Sequence, residues 1–176
     1  MGTYIEVQGN LFERGRKEKS TWFVQCVSRD LVMGAGIALQ FNRVFDMKNL
    51  ARSRWSTLRE DQKSKVKCLR VERVFNLITK EKYYNKPTLE SMTESLIALR
   101  RNIETVVRAG KEVVEVRLPL IGCGLDKLKW EDVKPLLIEN VVSKLPDDIT
   151  FKVYYLKGED LHGNKVKEEK ADETQN

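Results

Sequence analysis

The sequence predicts an α/β domain, a mixed sheet covered by helices on both faces. Three observations carry that expectation. Short β-prone apolar runs lie near both ends, a strongly helix-periodic stretch lies between them, and two glycine turns each join an apolar run to a helix. A length of 176 residues fits one domain and is enough to bury a core without disulfide or metal staples.

Taken in order, Thr3 to Gln8 alternates around Tyr4, Ile5 and Val7 and reads as the first strand. A turn at Gly9-Asn10 and a polar loop from Arg14 to Ser20 follow. Trp22 to Val27 is apolar and β-prone, the pattern of a buried strand. Met33-Gly34-Ala35-Gly36 is a glycine turn that enters a helix running toward Phe45, and Asn49 to Ser64 reads as helical on a poorer pattern. Val66 to Val71 and Val74 to Thr79, separated by Glu72-Arg73, form either a hairpin or a bulged pair.

The clearest helix is Thr88 to Val107. Leu89, Met92, Leu96, Leu99, Ile103 and Val106 recur every three or four residues and read as a core stripe. Thr88 suits the N-cap and Gly110 the stop. Val113 to Leu118 is a strand ending at Pro119. A second glycine turn, Ile121-Gly122-Cys123-Gly124, leads to a helix over about Trp130 to Val142, whose start Pro135 is expected to delay. Ile149 to Tyr155 is the last strand. Gly158 to Asn176 is charged and nearly free of apolar anchors, so the domain is expected to span 1–157 and the remainder to be a disordered tail.

Several function classes drop out. No apolar run approaches the ~20 residues of a membrane span, and the start shows no basic and apolar leader. The expected location is the nucleus or cytoplasm, with no membrane partner. Cys26, Cys68 and Cys123 form no CxxC pair, and the one histidine, His162, lies in the polar tail. A zinc cluster, a disulfide framework and a Ser-His-Asp or Cys-His mechanism are therefore not expected. Carboxylates, lysines and backbone groups remain. The net charge of +6 suggests attraction to polyanions, but the basic residues read as scattered among acids, the pattern of a solvated surface.

The glycine turns are the chemical signal. Glycine lacks Cβ and permits positive φ, so amides can converge on an anion, and a helix start adds unpaired N–H groups. Two such turns side by side would cradle a diphosphate. Neither matches the P-loop or the GxGxxG fingerprint.

In order along the chain stand Val7-Gln8-Gly9-Asn10-Leu11, Gln25-Cys26-Val27-Ser28, Met33-Gly34-Ala35-Gly36-Ile37-Ala38, Leu77-Ile78-Thr79-Lys80, Lys86-Pro87-Thr88 and Pro119-Leu120-Ile121-Gly122-Cys123-Gly124-Leu125-Asp126, with Val153-Tyr154-Tyr155-Leu156 at the end. Over roughly residues 3 to 156 this series resembles the macro domains, and within them most of all the terminal ADP-ribose protein glycohydrolases. The resemblance implies a three-layer α/β/α fold with a mixed, mainly parallel six-stranded sheet and ADP-ribose bound at strand ends. It implies that Gly34, Ala35, Gly36 and Ile37, with Leu120, Ile121, Gly122, Cys123, Gly124 and Leu125, hold the diphosphate and distal ribose. Asn10, Leu11, Ser28 and Leu156 would also bind substrate, with Lys80 the nucleophile and Asp126 its acid/base partner.

The implied chemistry suits the two residues. Lys80 follows an apolar run and would project from a strand end; an amine must be deprotonated to attack, which desolvation favours. It would attack C1″ of the distal ribose and displace a glutamate or aspartate carboxylate, a good leaving group that needs no metal. Asp126 would shuttle protons. Two positions depart from the family pattern. Asn10 stands where many macro domains carry an aspartate that accepts from the adenine amino group, and asparagine accepts without charge assistance. Leu120 stands where the closest pattern has arginine.

The implied partners are ADP-ribose or ADP-ribosylated proteins, bound by a monomer without a cofactor. Deacylation of O-acyl-ADP-ribose is an implied extension. A non-catalytic ADP-ribose reader and a basic nucleic-acid-binding domain are the alternatives.

Overall fold

A computed structural model describes residues 1–156, so the expected tail lies outside the described residues. Its strands are β1 (Thr3–Gln8), β2 (Thr21–Ser28), β3 (Cys68–Val71), β4 (Val74–Lys80), β5 (Glu115–Leu118) and β6 (Thr150–Tyr155). Its helices are α1 (Gly36–Phe45), α2 (Met47–Ser56), α3 (Glu60–Lys63), α4 (Leu89–Arg108) and α5 (Trp130–Asn140). The single sheet runs β1-β6-β5-β2-β4-β3. All neighbours are parallel except β3 and β4. The mixed, mainly parallel six-stranded sheet is as expected.

The open choice between hairpin and bulge resolves to a hairpin. Val71 pairs with Val74, and Glu72 takes a left-handed φ of 54° to turn the chain within two residues. The weak helical stretch after Asn49 is two helices, interrupted at Thr57 to Arg59.

Side-chain alternation along the strands splits the core in two. Trp22 and Val24 on β2, with Phe75 and Leu77 on β4, pack beneath α4 and α5. Phe23 and Val27, with Val74 and Ile78, pack beneath α1 and α2, where Phe41, Met47 and Ala51 are wholly buried. Two polar residues share that second face. Gln25 donates to Asn76 at 2.7 Å, and Asn76 donates to the Leu69 carbonyl at 3.1 Å, so the polar pair ties three strands together.

Two sequence expectations need correcting. Leu89 is 40% exposed, so the core stripe of α4 begins at Met92. Leu89 follows directly on the cap Thr88, and its periodicity extends one turn beyond what the sheet covers. Pro135 does not delay α5, which starts at Trp130 and runs through it. The missing N–H deprives the Glu131 carbonyl of its helical donor, and both residues are exposed, so water can serve that carbonyl.

The connection leaving β2 packs its helix α1 on one face, while that leaving β5 packs α5 on the other. Adjacent parallel strands whose connections part in this way open a crevice at their carboxyl ends. The fold thus sets the place for a ligand before any side chain is considered.

Candidate functional site

That crevice is a cleft of about 1120 Å³, beside the ~300–1,000 Å³ usual for ligand pockets. It is lined by segments following β1, β2, β4, β5 and β6, all of which end at the same edge of the sheet. A nucleotide sugar fits such a volume, and the lining combines apolar walls with backbone amides and four charged residues, Lys80, Lys86, Asp126 and Lys127.

The first amide source is the start of α1. Its cap residue, Ala35, offers no side-chain acceptor, and its first turn carries no acidic residue. The leading N–H groups are therefore free to meet an anion, with the helix dipole behind them. Gly36 takes φ +58°, and a Cβ there would come within 3.1 Å of Leu125 Cδ1. The second source is the turn after β5. Gly122 takes φ +75°, and a Cβ on it would lie 2.7 Å from Met92 Cε of α4. Glycine is required there to let the turn sit flat against the helix. The Leu125 contact across Gly36 brings the two turns together over the cleft.

Residues that are not glycine also adopt left-handed conformations in the segments that build the cleft: Leu31 at 54°, Met33 at 47° and Lys127 at 64°. Such strain persists where neighbours over-determine the backbone. Part of the restraint is visible. Ser28 donates its hydroxyl to Asp30, Asp30 Oδ2 accepts from the Tyr83 amide at 3.0 Å, and Lys86 Nζ reaches the Leu125 carbonyl at 2.7 Å. Arg117, almost wholly buried, donates to the Leu11 and Glu13 carbonyls at 2.9 and 2.6 Å and so holds the loop after β1.

At the centre, Lys80 Nζ lies 2.7 Å from Asp126 Oδ1, with side chains only 14% and 16% exposed. One is the last residue of β4 and the other lies in the turn after β5, 46 residues on. The carboxylate is placed to take a proton from the amine. Cys26 also borders the cleft, but burial first, and the Asp126 carboxylate second, push its thiol well above the ordinary range. Thiolate chemistry is disfavoured there, leaving the amine as the available nucleophile.

Every residue that the sequence singled out lines this one cleft, except Cys123. That side chain turns into the core beneath α4 and α5, where burial pushes its thiol up to about 12. Only the main chain of Cys123 can face a ligand. Asn10 lines the cleft, but its Oδ1 already accepts from the Phe12 amide at 2.9 Å, so its oxygen is not wholly free for a base. Leu120 is half-buried in the lining, an apolar rim.

Sequence reasoning missed Phe12, Asp30, Tyr83, Lys86 and Arg117. The Ser28-x-Asp30 spacing signals a local side-chain turn. Lys86 stood in a matched string without a role, and Arg117 was a lone charge inside an apolar strand.

No family model matches the chain. Over 153 residues it is 35% identical to the ADP-ribose glycohydrolase OARD1 of Bos taurus and 34% identical to that of Homo sapiens, across 85% of this chain and 90% of each relative. Among solved structures, the macrodomain of Mycobacterium tuberculosis DarG superposes with a TM-score of 0.68 at 25% identity, over 88% of this chain and 98% of that one.

Proposed function

The chain belongs to the macro domain family, on the side of its ADP-ribose glycohydrolases, and from that membership we propose that it removes terminal ADP-ribose from glutamate and aspartate side chains. The observation that carries this reading is the 2.7 Å contact between Lys80 Nζ and Asp126 Oδ1 at the floor of an amide-lined cleft.

The diphosphate would lie against the free amides of α1 and the glycine turn after β5, which neutralise it without a cation. This would hold the distal ribose over Lys80. Asp126 would take the proton, and Nζ would attack C1″ as the C1″–O bond breaks and the carboxylate leaves with its electron pair. Asp126 would pass that proton to the ring oxygen as the C1″–O4″ bond opens, leaving an iminium between C1″ and Nζ. Water would then add at C1″, with Asp126, again ionised, as base. Collapse of the carbinolamine would expel the amine and regenerate Lys80. Deacylation of O-acyl-ADP-ribose in the same cleft is a proposed extension.

The test uses protein mono-ADP-ribosylated on carboxylates. Wild type should release free ADP-ribose, and a borohydride quench during turnover should trap an ADP-ribosyl group on Lys80, read by peptide mass spectrometry. Binding of ADP-ribose with no release after long incubation would instead make the chain a reader.

A further inference from the structure

The net charge is concentrated in one segment and not scattered over the molecule. Eight of the chain's 32 Lys and Arg, and two of its 26 Asp and Glu, fall within residues 48–70, so this stretch carries +6 and the rest of the sequence balances to zero. It folds as α2, α3 and the edge strand β3. Arg59, Lys63 and Lys67 are paired with Asp61, Glu60 and Glu94. Lys48, Arg52, Arg54, Lys65 and Arg70 have no carboxylate partner among the described residues. Like charges gathered on one edge repel one another, and a polyanion relieves this. Arg54, Lys65 and Arg70 rim a second cavity of about 570 Å³, between this edge and the end of α4.

A second feature adjoins it. Tyr83 and Tyr84, 60% and 67% exposed, set their rings edge to face at 5.3 Å just beyond Lys80. Their loop is fixed, since Lys82 donates its amide to Asn85 Oδ1 at 2.9 Å and Tyr83 donates its own to Asp30. Arg29 joins loop and edge: its Nε meets Glu81 at 2.8 Å, and its NH1 donates to the Lys63 and Val66 carbonyls at 2.7 and 2.8 Å. A basic edge tied through Arg29 to a loop with solvent-facing aromatic rings suits a backbone of phosphates whose unpaired bases stack. An acidic protein would leave the rings unused, and a duplex would keep its bases stacked.

We propose that the edge formed by α2, α3 and β3, together with Tyr84, is a docking surface for single-stranded nucleic acid, separate from the ADP-ribose cleft. The test is fluorescence anisotropy of a labelled oligothymidylate with the full chain across a salt series. Binding should weaken with salt by a log–log slope of roughly 0.7 for each phosphate contact. The variant R52Q/R54Q/K65Q/R70Q should lose at least about tenfold in affinity with a shallower slope, while releasing ADP-ribose as wild type does. Lys65→Glu alone, should the quadruple variant misfold, should weaken binding in the same sense. Tyr84→Ala should lose about tenfold at unchanged slope. Three outcomes overturn the proposal: no binding at low salt, displacement of the oligonucleotide by ADP-ribose, or equal binding of polyglutamate that Tyr84→Ala leaves untouched.

Discussion

Lys80–Asp126 and the cluster of Glu115, Arg117 and Lys152 both join segments remote in sequence, yet only the first lines the cleft. Glu115 is met from three sides. Lys152 on the neighbouring strand contacts it, Arg117 approaches to 3.5 Å, and the Thr21 hydroxyl donates at 3.2 Å. Burial alone would raise its carboxyl, but these partners outweigh burial and hold it below the usual carboxylate range. Asp126 has one side-chain partner among the described residues, Lys80. A carboxylate held between two cations and a hydroxyl stabilises a fold. One with lone pairs to spare, facing a cleft, can still receive a proton.

The contrast can be broken at several points. Lys80→Ala should reduce release of ADP-ribose at least about 10³-fold, while urea unfolding shifts by less than about 1 kcal/mol; a large stability loss would make the pair structural. Asp126→Asn should slow turnover about 10²-fold with the fold intact, and single-turnover assays would show which half-reaction suffers. Glu115→Gln should do the reverse, costing about 1–3 kcal/mol in urea unfolding with turnover per folded molecule unchanged. The smallest effect concerns pH. Because the folded protein lowers the Glu115 pKa, its contribution is complete above the ordinary glutamate range and is lost as pH falls through the lowered value. The urea midpoint of Glu115→Gln should therefore fall less than that of wild type between neutral pH and about pH 3.

Much of the molecule is legible in its sequence, for physical reasons. Strands with both faces covered leave continuous apolar runs, as at Trp22 to Val27, and a helix on a sheet leaves a stripe, as at Met92 to Val106. The glycine turns show because their backbone demands glycine at Gly36 and Gly122. What stayed hidden depends on where a chain surface lies once folded. Leu89 and Met92 share a period but not a neighbour. Cys123 sits inside the turn string, yet its side chain faces away from the ligand side. The oxygen of Asn10 is taken by its own loop. A net charge of +6 over 176 residues conceals the basic edge, because acids and bases outside residues 48–70 balance.

The position of β6 has a further consequence. It lies between β1 and β5, with Thr3 registered against Thr150. Strand β1 therefore leaves the ribosome without a sheet partner until nearly the last described residues emerge. At ~5–20 residues per second, β1 waits on the order of ten seconds, alternating polar and apolar groups, for its only sheet neighbour among the described residues. Assembly of the β2–β4–β3 half can run ahead, since its pairings are more local. A nascent chain stalled before Thr150 would hold a half-built sheet with the β5 edge bare, a natural client for a chaperone.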